Sequence, residues 1–208
     1  MPMFWTSMKT RLASAFSFSG DGSVFKRVLL TGFGFLIIFI VFLGFYWSSE
    51  PAPFSVKQKT SQRLALIGND YVVGSTTTVA LITVAESLLN KPGGYLSNDI
   101  SPPGIYLDNI PSWEFGALVQ VRDLSRTFRE SFSRSQSQST EDPDLIISEP
   151  KFHFSNDSWL FPATESEYAE AIDRLDSYLA RISDPANTDA QFYARADNLA
   201  DWLLAVES

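Results

Sequence analysis

One segment of the chain constrains its fold more than any other. Between Val28 and Ser49 lie 22 consecutive uncharged residues, VLLTGFGFLIIFIVFLGFYWSS. About 20 apolar residues are enough to cross the ~30 Å hydrocarbon core of a bilayer as a helix, so the stretch predicts a transmembrane helix over 28–49. A cleaved signal peptide is the alternative. Its apolar region usually spans about 7 to 15 residues, and the longer, aromatic stretch favours an uncleaved anchor.

The flanks of this stretch predict its orientation. Lys26 and Arg27 precede it, whereas Tyr46 and Trp47 close its other end, where amphipathic rings favour the headgroup level. Positive charge is retained in the cytoplasm, so we expect residues 1–27 to form a cytoplasmic basic tail of a bacterial inner-membrane protein and the C-terminal domain to be periplasmic. The aromatic and basic residues within 1–25 fit either an interfacial amphipathic helix or a disordered tail.

The distribution of charge and of reactive residues excludes several functions. The formal charge is −8; residues 1–49 hold four basic residues and one acid, or +3, which leaves −11 for residues 50–208. Nucleic-acid binding draws its affinity from Lys and Arg, so the acidic region is not expected to bind it. Cysteine is absent and His153 is the sole histidine. We therefore expect no thiolate or multi-histidine metal site and no cofactor, and interpret His153 as a surface or hydrogen-bonded residue.

The residues after the anchor predict a mainly α fold, a single helical-bundle-like domain over 61–208 with long ordered loops, following a proline-containing linker over 50–60. Apolar spacing of three and four residues predicts four helices. They are expected over 76–90, from Pro111 through Phe132, over 165–182 and over 189–206. Capping boxes at Thr164 and Thr188 mark the starts of the last two, which read as an antiparallel hairpin. Leu145 to Ile147 and Phe152 to Phe154 read as short strands or extended packing segments.

Two regions are candidates for a functional surface. The Pro-rich loop from Tyr95 to Pro111 is long for a compact domain, which is typical either of a partner surface or of an ordered lid over the core. The predicted helix after it carries several arginines, which suit an anionic headgroup or glycan, or pair with the domain's own acids. Together they give a candidate interaction surface of Tyr95, Asp99, Tyr106, Asp108, Arg122, Arg126 and Arg129.

Two classes of function remain. The first is a non-enzymatic accessory or scaffold component of a cell-envelope complex with a protein partner. The alternative is a hydrolase of cell-wall polymer that uses two of the carboxylates Asp99, Asp108 and Glu114, because glycoside hydrolysis needs only a pair of acids. A pore would need polar groups within the membrane, and the apolar stretch offers Thr31 alone.

Three strings carry a resemblance to a known family: LNKPGGYLSNDISPPGIYLDNIPSWEFGALVQVRDLSR, FSRSQSQSTEDPDLIISEPKFHF and AQFYARADNLADWLL. The chain from about Thr60 onward resembles an uncharacterised proteobacterial inner-membrane protein family, a domain of unknown function. The resemblance implies one N-terminal anchor and a periplasmic helical domain, with no catalytic residue to carry over. It also implies a longer protein, since members of the family continue past the position of Ser208.

Overall fold

The computed structural model describes residues 22–135 and 140–207, and within these ranges all regular structure is helical. Seven α-helices follow one another: α1 Gly22–Trp47, α2 Val56–Ile67, α3 Ser75–Asn90, α4 Asn109–Thr127, α5 Pro143–Phe152, α6 Thr164–Ser183 and α7 Ala196–Glu207. A 3-10 turn, Gly104–Tyr106, precedes α4, and a π-helical turn, Phe128–Phe132, continues it. The chain divides into two compact units, residues 1–45 and 46–208. The predicted mainly α fold class is confirmed.

The first unit contains most of α1. This helix has 26 residues, which at 1.5 Å per residue gives a length of about 39 Å. Among the described helices it is the one long and apolar enough to cross a membrane. The hydroxyl of Thr31 donates to the carbonyl of Arg27 at 2.8 Å, so this polar group is satisfied within the helix. The predicted alternatives for residues 1–25 fall mostly outside the described residues.

The second unit is built around α3, α4, α5 and α6. Helix α3 packs against α4 and α6, and α5 packs against the same two helices. The four largest fully buried side chains come from α5, α6 and the π-helical turn: Phe152, Tyr168, Tyr178 and Phe128. Helix α3 lies in the middle of this core and buries Val79, Leu81, Ile82, Ala85 and Leu88. A helix that is apolar on most of its faces is stable only when neighbours cover it.

Helix α2 is an element that the sequence analysis placed partly in the linker. It begins at Val56, where the Ser55 side chain accepts a hydrogen bond from the Gln58 amide, and ends at Gly68, whose φ of 74° is left-handed. Arg63 ties it to the core, with ion pairs to Glu86 of α3 and Asp176 of α6. The linker is therefore shorter than predicted.

Helix α5 corrects the prediction of short strands around Leu145 to Ile147 and Phe152 to Phe154. Asp142 caps it by accepting hydrogen bonds from the amides of Asp144 and Leu145, and Pro143 occupies its first turn. Leu145, Ser148 and Phe152 then lie on its buried face at helical spacing. A ten-residue helix offers too few periodic positions to distinguish it from a strand by pattern alone.

The C-terminal segment also differs from the prediction. Helix α7 starts at Ala196 rather than near Asp189, and packs against α4 instead of forming a hairpin with α6. The preceding residues run across the core, where the ring of Phe192 stacks on Phe132 with centroids 4.9 Å apart. The hydroxyl of Tyr178 donates to the carbonyl of Gln191 at 2.8 Å. Burial of Phe192 outweighs the capping-box pattern at Thr188.

Candidate functional site

The loop from Tyr95 to Pro111 connects α3 to α4 and is partly buried. Tyr95 and Ile110 face the core, as an ordered lid requires. An ordered lid would also be expected to bury the apolar side chains of Ile105 and Tyr106, but Tyr106 is 76% exposed and Ile105 is 48% exposed. The loop therefore combines a fixed base with an apolar outer side.

A buried ion pair fixes the base of this loop. The ammonium of Lys91, just after α3, donates to a carboxylate oxygen of Glu114 on α4, and both side chains have no exposed surface. Lys91 also donates to the carbonyls of Leu88, at 3.1 Å, and Gly94. Burial lowers the pKa of Lys91, and the neighbouring Glu114 carboxylate opposes this effect. The pair joins the two helices from which the loop leaves and returns.

Glu114 has further partners from the loop itself. Its two carboxylate oxygens accept hydrogen bonds from the amides of Leu96 and Ser97, each at 2.8 Å, and from the Ser97 hydroxyl. A carboxylate that is surrounded by donors and closed to solvent cannot reach a polymer substrate. This arrangement favours a structural role for Glu114 over the proton-transfer role considered above.

The other two candidate carboxylates lie in different surroundings. Asp99 is half-buried and packs over Gly104, where an added Cβ would lie 2.6 Å from the Asp99 Cβ. Burial raises the pKa of Asp99, and the carboxylates of Glu165 and Glu114 raise it further. Asp108 is exposed and immediately precedes α4. The three acids thus comprise one sequestered, one half-buried and one exposed carboxylate.

A second loop, residues 154–163 between α5 and α6, lies beside the first. The amide of the Asn98 side chain donates to the carbonyl of Ser158 at 3.0 Å and to Glu165 at 2.9 Å. The hydroxyl of Thr164 donates to the carbonyl of Ser155 at 2.8 Å and accepts a hydrogen bond from the Ser158 amide at 3.1 Å. The two loops are therefore fixed to each other and to the start of α6.

The second loop exposes three consecutive large apolar side chains. Trp159 is 52%, Leu160 60% and Phe161 99% exposed, although the Ser158 hydroxyl bonds to the carbonyl of Pro162 at 2.8 Å and holds the turn. We call the exposed apolar side chains of both loops the loop surface: Ile100, Ile105, Tyr106, Trp159, Leu160 and Phe161. The second loop was not among the functional regions predicted from the sequence. A run of three large apolar residues among Ser, Asn, Asp and Pro was the available signal.

The candidate arginines hold α4 against α5. Arg122 donates to the carbonyls of Phe152, at 2.7 Å, and Phe154, at 2.9 Å, at the end of α5. Arg129 pairs with Glu141 at 3.3 Å and with Glu149 at 2.8 Å. Arg126 is the most exposed of the three; it pairs with Glu149 at 3.8 Å and lies 3.3 Å from the His153 ring nitrogen Nε2. Pairing with the domain's own acids accounts for two of these arginines, and anion binding by this face stays a prediction.

An apolar cleft lies at the other end of the second unit. It has a volume of about 310 Å³ and is lined mainly by Leu124, Phe132, Phe192, Leu199 and Trp202, next to the start of α3 at Thr77. The indole N–H of Trp202 is buried there without a hydrogen-bond acceptor. Beyond it, α7 exposes Leu203 and Leu204. We call this region the distal cleft.

Fold and surface together define a class of protein: an all-helical unit with two apolar surface regions, preceded by one helix that has the length and composition of a membrane span. Among the described residues, no group of three or more acidic or histidine side chains is placed to hold a metal ion.

The chain belongs to the family described as "Uncharacterized protein conserved in bacteria (DUF2333)", which matches residues 21–208. This confirms the resemblance noted from the sequence. Neither a curated protein nor a solved structure matches the chain.

Proposed function

We propose that the protein is a single-pass bacterial inner-membrane protein with a cytoplasmic N-terminus and a periplasmic helical unit that acts as a non-enzymatic accessory or scaffold component of a cell-envelope complex. The length and composition of α1 support anchoring. The basic residues Lys26 and Arg27 at one end and the Tyr46–Trp47 pair at the other support the orientation.

The distal cleft is the observation that carries the role as a binding protein. Contiguous exposed apolar surface in a folded protein marks an interaction site, and pockets that accept a large apolar or aromatic anchor dominate the energetics of protein interfaces. The unpaired N–H of Trp202 offers a partner a hydrogen bond inside a mainly apolar pocket, whose lining also includes Arg195. An apolar side chain from a partner protein, next to a backbone or side-chain acceptor, matches this combination.

The test is site-specific photo-crosslinking in the native host with the full chain. p-Benzoylphenylalanine replaces Leu203 beside the cleft, and in a matched control it replaces Ile146, an exposed apolar residue of α5. We expect one envelope protein to be captured in near-stoichiometric amount from position 203 and not from 146. Capture from neither position, or equal capture of many proteins from both, would contradict a specific partner at the cleft.

A further inference from the structure

The chain enters the second unit at the end of α3, where the Tyr95–Pro111 loop begins. The ring of Trp47 lies against Gly93, where an added Cβ would be 2.7 Å from the Trp47 Cγ. Residues Glu50 to Phe54 line a surface cavity of about 430 Å³ together with Asn90, Lys91 and Pro92 at the end of α3. The Tyr95–Pro111 loop starts at this same end, and Asn98 joins it to the Trp159–Phe161 loop.

The covalent connection limits how far this end lies from the end of α1. Eight residues, 48–55, separate Trp47 from the first residue of α2. Fully extended, they span at most about 27 Å, and two prolines and the packing of Trp47 on Gly93 shorten the usable reach. Trp47 itself belongs to the second unit, and its contact Gly93 lies two residues before Tyr95 in the chain, so the residue expected at the headgroup level meets this unit where the first loop begins.

We infer that the loop surface is seated in the interfacial layer of the bilayer that α1 spans, with zwitterionic phospholipid as its partner. The inference rests on the membrane anchoring in the proposed function. Trp and Tyr favour the headgroup level, and Leu, Ile and Phe gain free energy by entering the acyl boundary. Phe161 in particular is 99% exposed on a turn that Ser158 holds in place. A side chain of this kind costs free energy in water and gains it in lipid.

The charges around the loops select the type of lipid. The carboxylate of Glu165 lies close enough to Asp99 to raise the pKa of that carboxyl, and Asp157 belongs to the second loop. These acids would be repelled by anionic headgroups, whereas phosphatidylethanolamine and phosphatidylcholine present no net charge. The same acids disfavour a second copy of this chain as the occupant, because a symmetric contact would bring identical acidic rims together.

The absence of cysteine from the chain allows a direct measurement of immersion. Nitroxide labels are placed on Phe161→Cys, on Leu66→Cys and on Phe39→Cys of the full chain in nanodiscs of phosphatidylethanolamine and phosphatidylcholine. Leu66 is the matched control, since it is 87% exposed and lies near the C-terminal end of α2, away from the loops. Phe39 reports whether α1 is in the bilayer. Collision rates with oxygen, which concentrates in lipid, and with a water-soluble nickel chelate give the depth of each label.

We expect the label at 161 to collide more with oxygen and less with nickel than the label at 66, and the difference to shrink when phosphatidylglycerol replaces part of the lipid. A label at 161 as open to nickel as the label at 66, while the label at 39 is in lipid, overturns the inference and leaves anchoring intact. A label at 161 shielded from both reagents indicates a protein on the loop surface and also overturns it. A label at 39 that is open to nickel refutes the anchoring itself.

Discussion

The buried ion pair between Lys91 and Glu114 supports a quantitative prediction. Lys91→Met removes the ammonium and leaves the Glu114 carboxylate with no exposed surface and no counter-charge. Removing one partner of a buried pair typically costs about 3–5 kcal/mol. Glu114 keeps the amides of Leu96 and Ser97 as donors, so we expect the lower end, about 3 kcal/mol of unfolding free energy. That is a large part of the about 5–15 kcal/mol that holds a typical domain together.

The assay is urea denaturation of the full chain in detergent micelles, followed by the near-ultraviolet circular dichroism of the buried aromatic rings. Lys151→Met is the matched control, because Lys151 pairs with Glu167 and Glu170 at the surface, where solvent screens the interaction. Lys91→Met with Glu114→Gln should recover part of the loss, since no unpaired charge is then buried. The reasoning is refuted if Lys91→Met is no more destabilising than the control, or if the double variant is less stable than Lys91→Met alone.

Three further outcomes follow from the structure. Gly74→Ala should destabilise the fold by more than Gly68→Ala. Both glycines have a left-handed φ, which costs alanine about 1–2 kcal/mol. A Cβ at Gly74 would in addition lie 2.2 Å from the ring of Phe192, whereas nothing lies within 4 Å of a Cβ at Gly68. Equal urea midpoints for the two variants would contradict the packing of Phe192. Three buried tyrosines have a pKa raised mainly by burial: Tyr95, Tyr168 and Tyr178. The unfolded chain releases these phenol protons at lower pH than the folded chain does, so the free energy of unfolding should fall as the pH rises above about 10. A free energy of unfolding that is unchanged between pH 9 and 11 would be inconsistent with the burial of these tyrosines. Asp99→Asn should raise the urea midpoint slightly at pH 7, because burial and the neighbouring carboxylates raise the pKa of Asp99 and so disfavour its charge in the folded state. Asp189→Asn is the control at an exposed site and should leave the urea midpoint unchanged.

Helices with long periodic patterns were predicted well from the sequence. Helix α6 was expected over 165–182 and runs from Thr164 to Ser183; α3 was expected over 76–90 and runs from Ser75 to Asn90. In each case many apolar positions at helical spacing are followed by a residue or turn that ends the helix. Local pattern and tertiary packing agree in these segments.

Helix α4 and its π-helical turn were predicted with the correct helix but only part of the correct face. The apolar spacing places Val121, Phe128 and Phe132 inward, and all three are buried. The same spacing places Trp113, Ala117 and Leu124 inward, but these lie at the edge of the core, and Glu114, Leu118 and Ser125 are buried instead. From the sequence, the charged residue Glu114 is expected on the solvent-facing side of the helix. Its partners, Lys91 and the amides of residues 96 and 97, are 17 to 23 positions away in the chain.

The sequence by itself determined the apolar helix with its charged flanks, the acidic character of the region after it, and the helical class of that region. These properties depend on composition and on spacing within a few turns, which neighbours along the chain fix. Only the tertiary structure decided that Glu114 is buried against Lys91, that Phe192 packs against the core before α7 begins, and that the Trp159–Phe161 loop lies beside Asn98. Those features depend on contacts between distant segments, and the free energy gained by burial there outweighs the local preference of each segment.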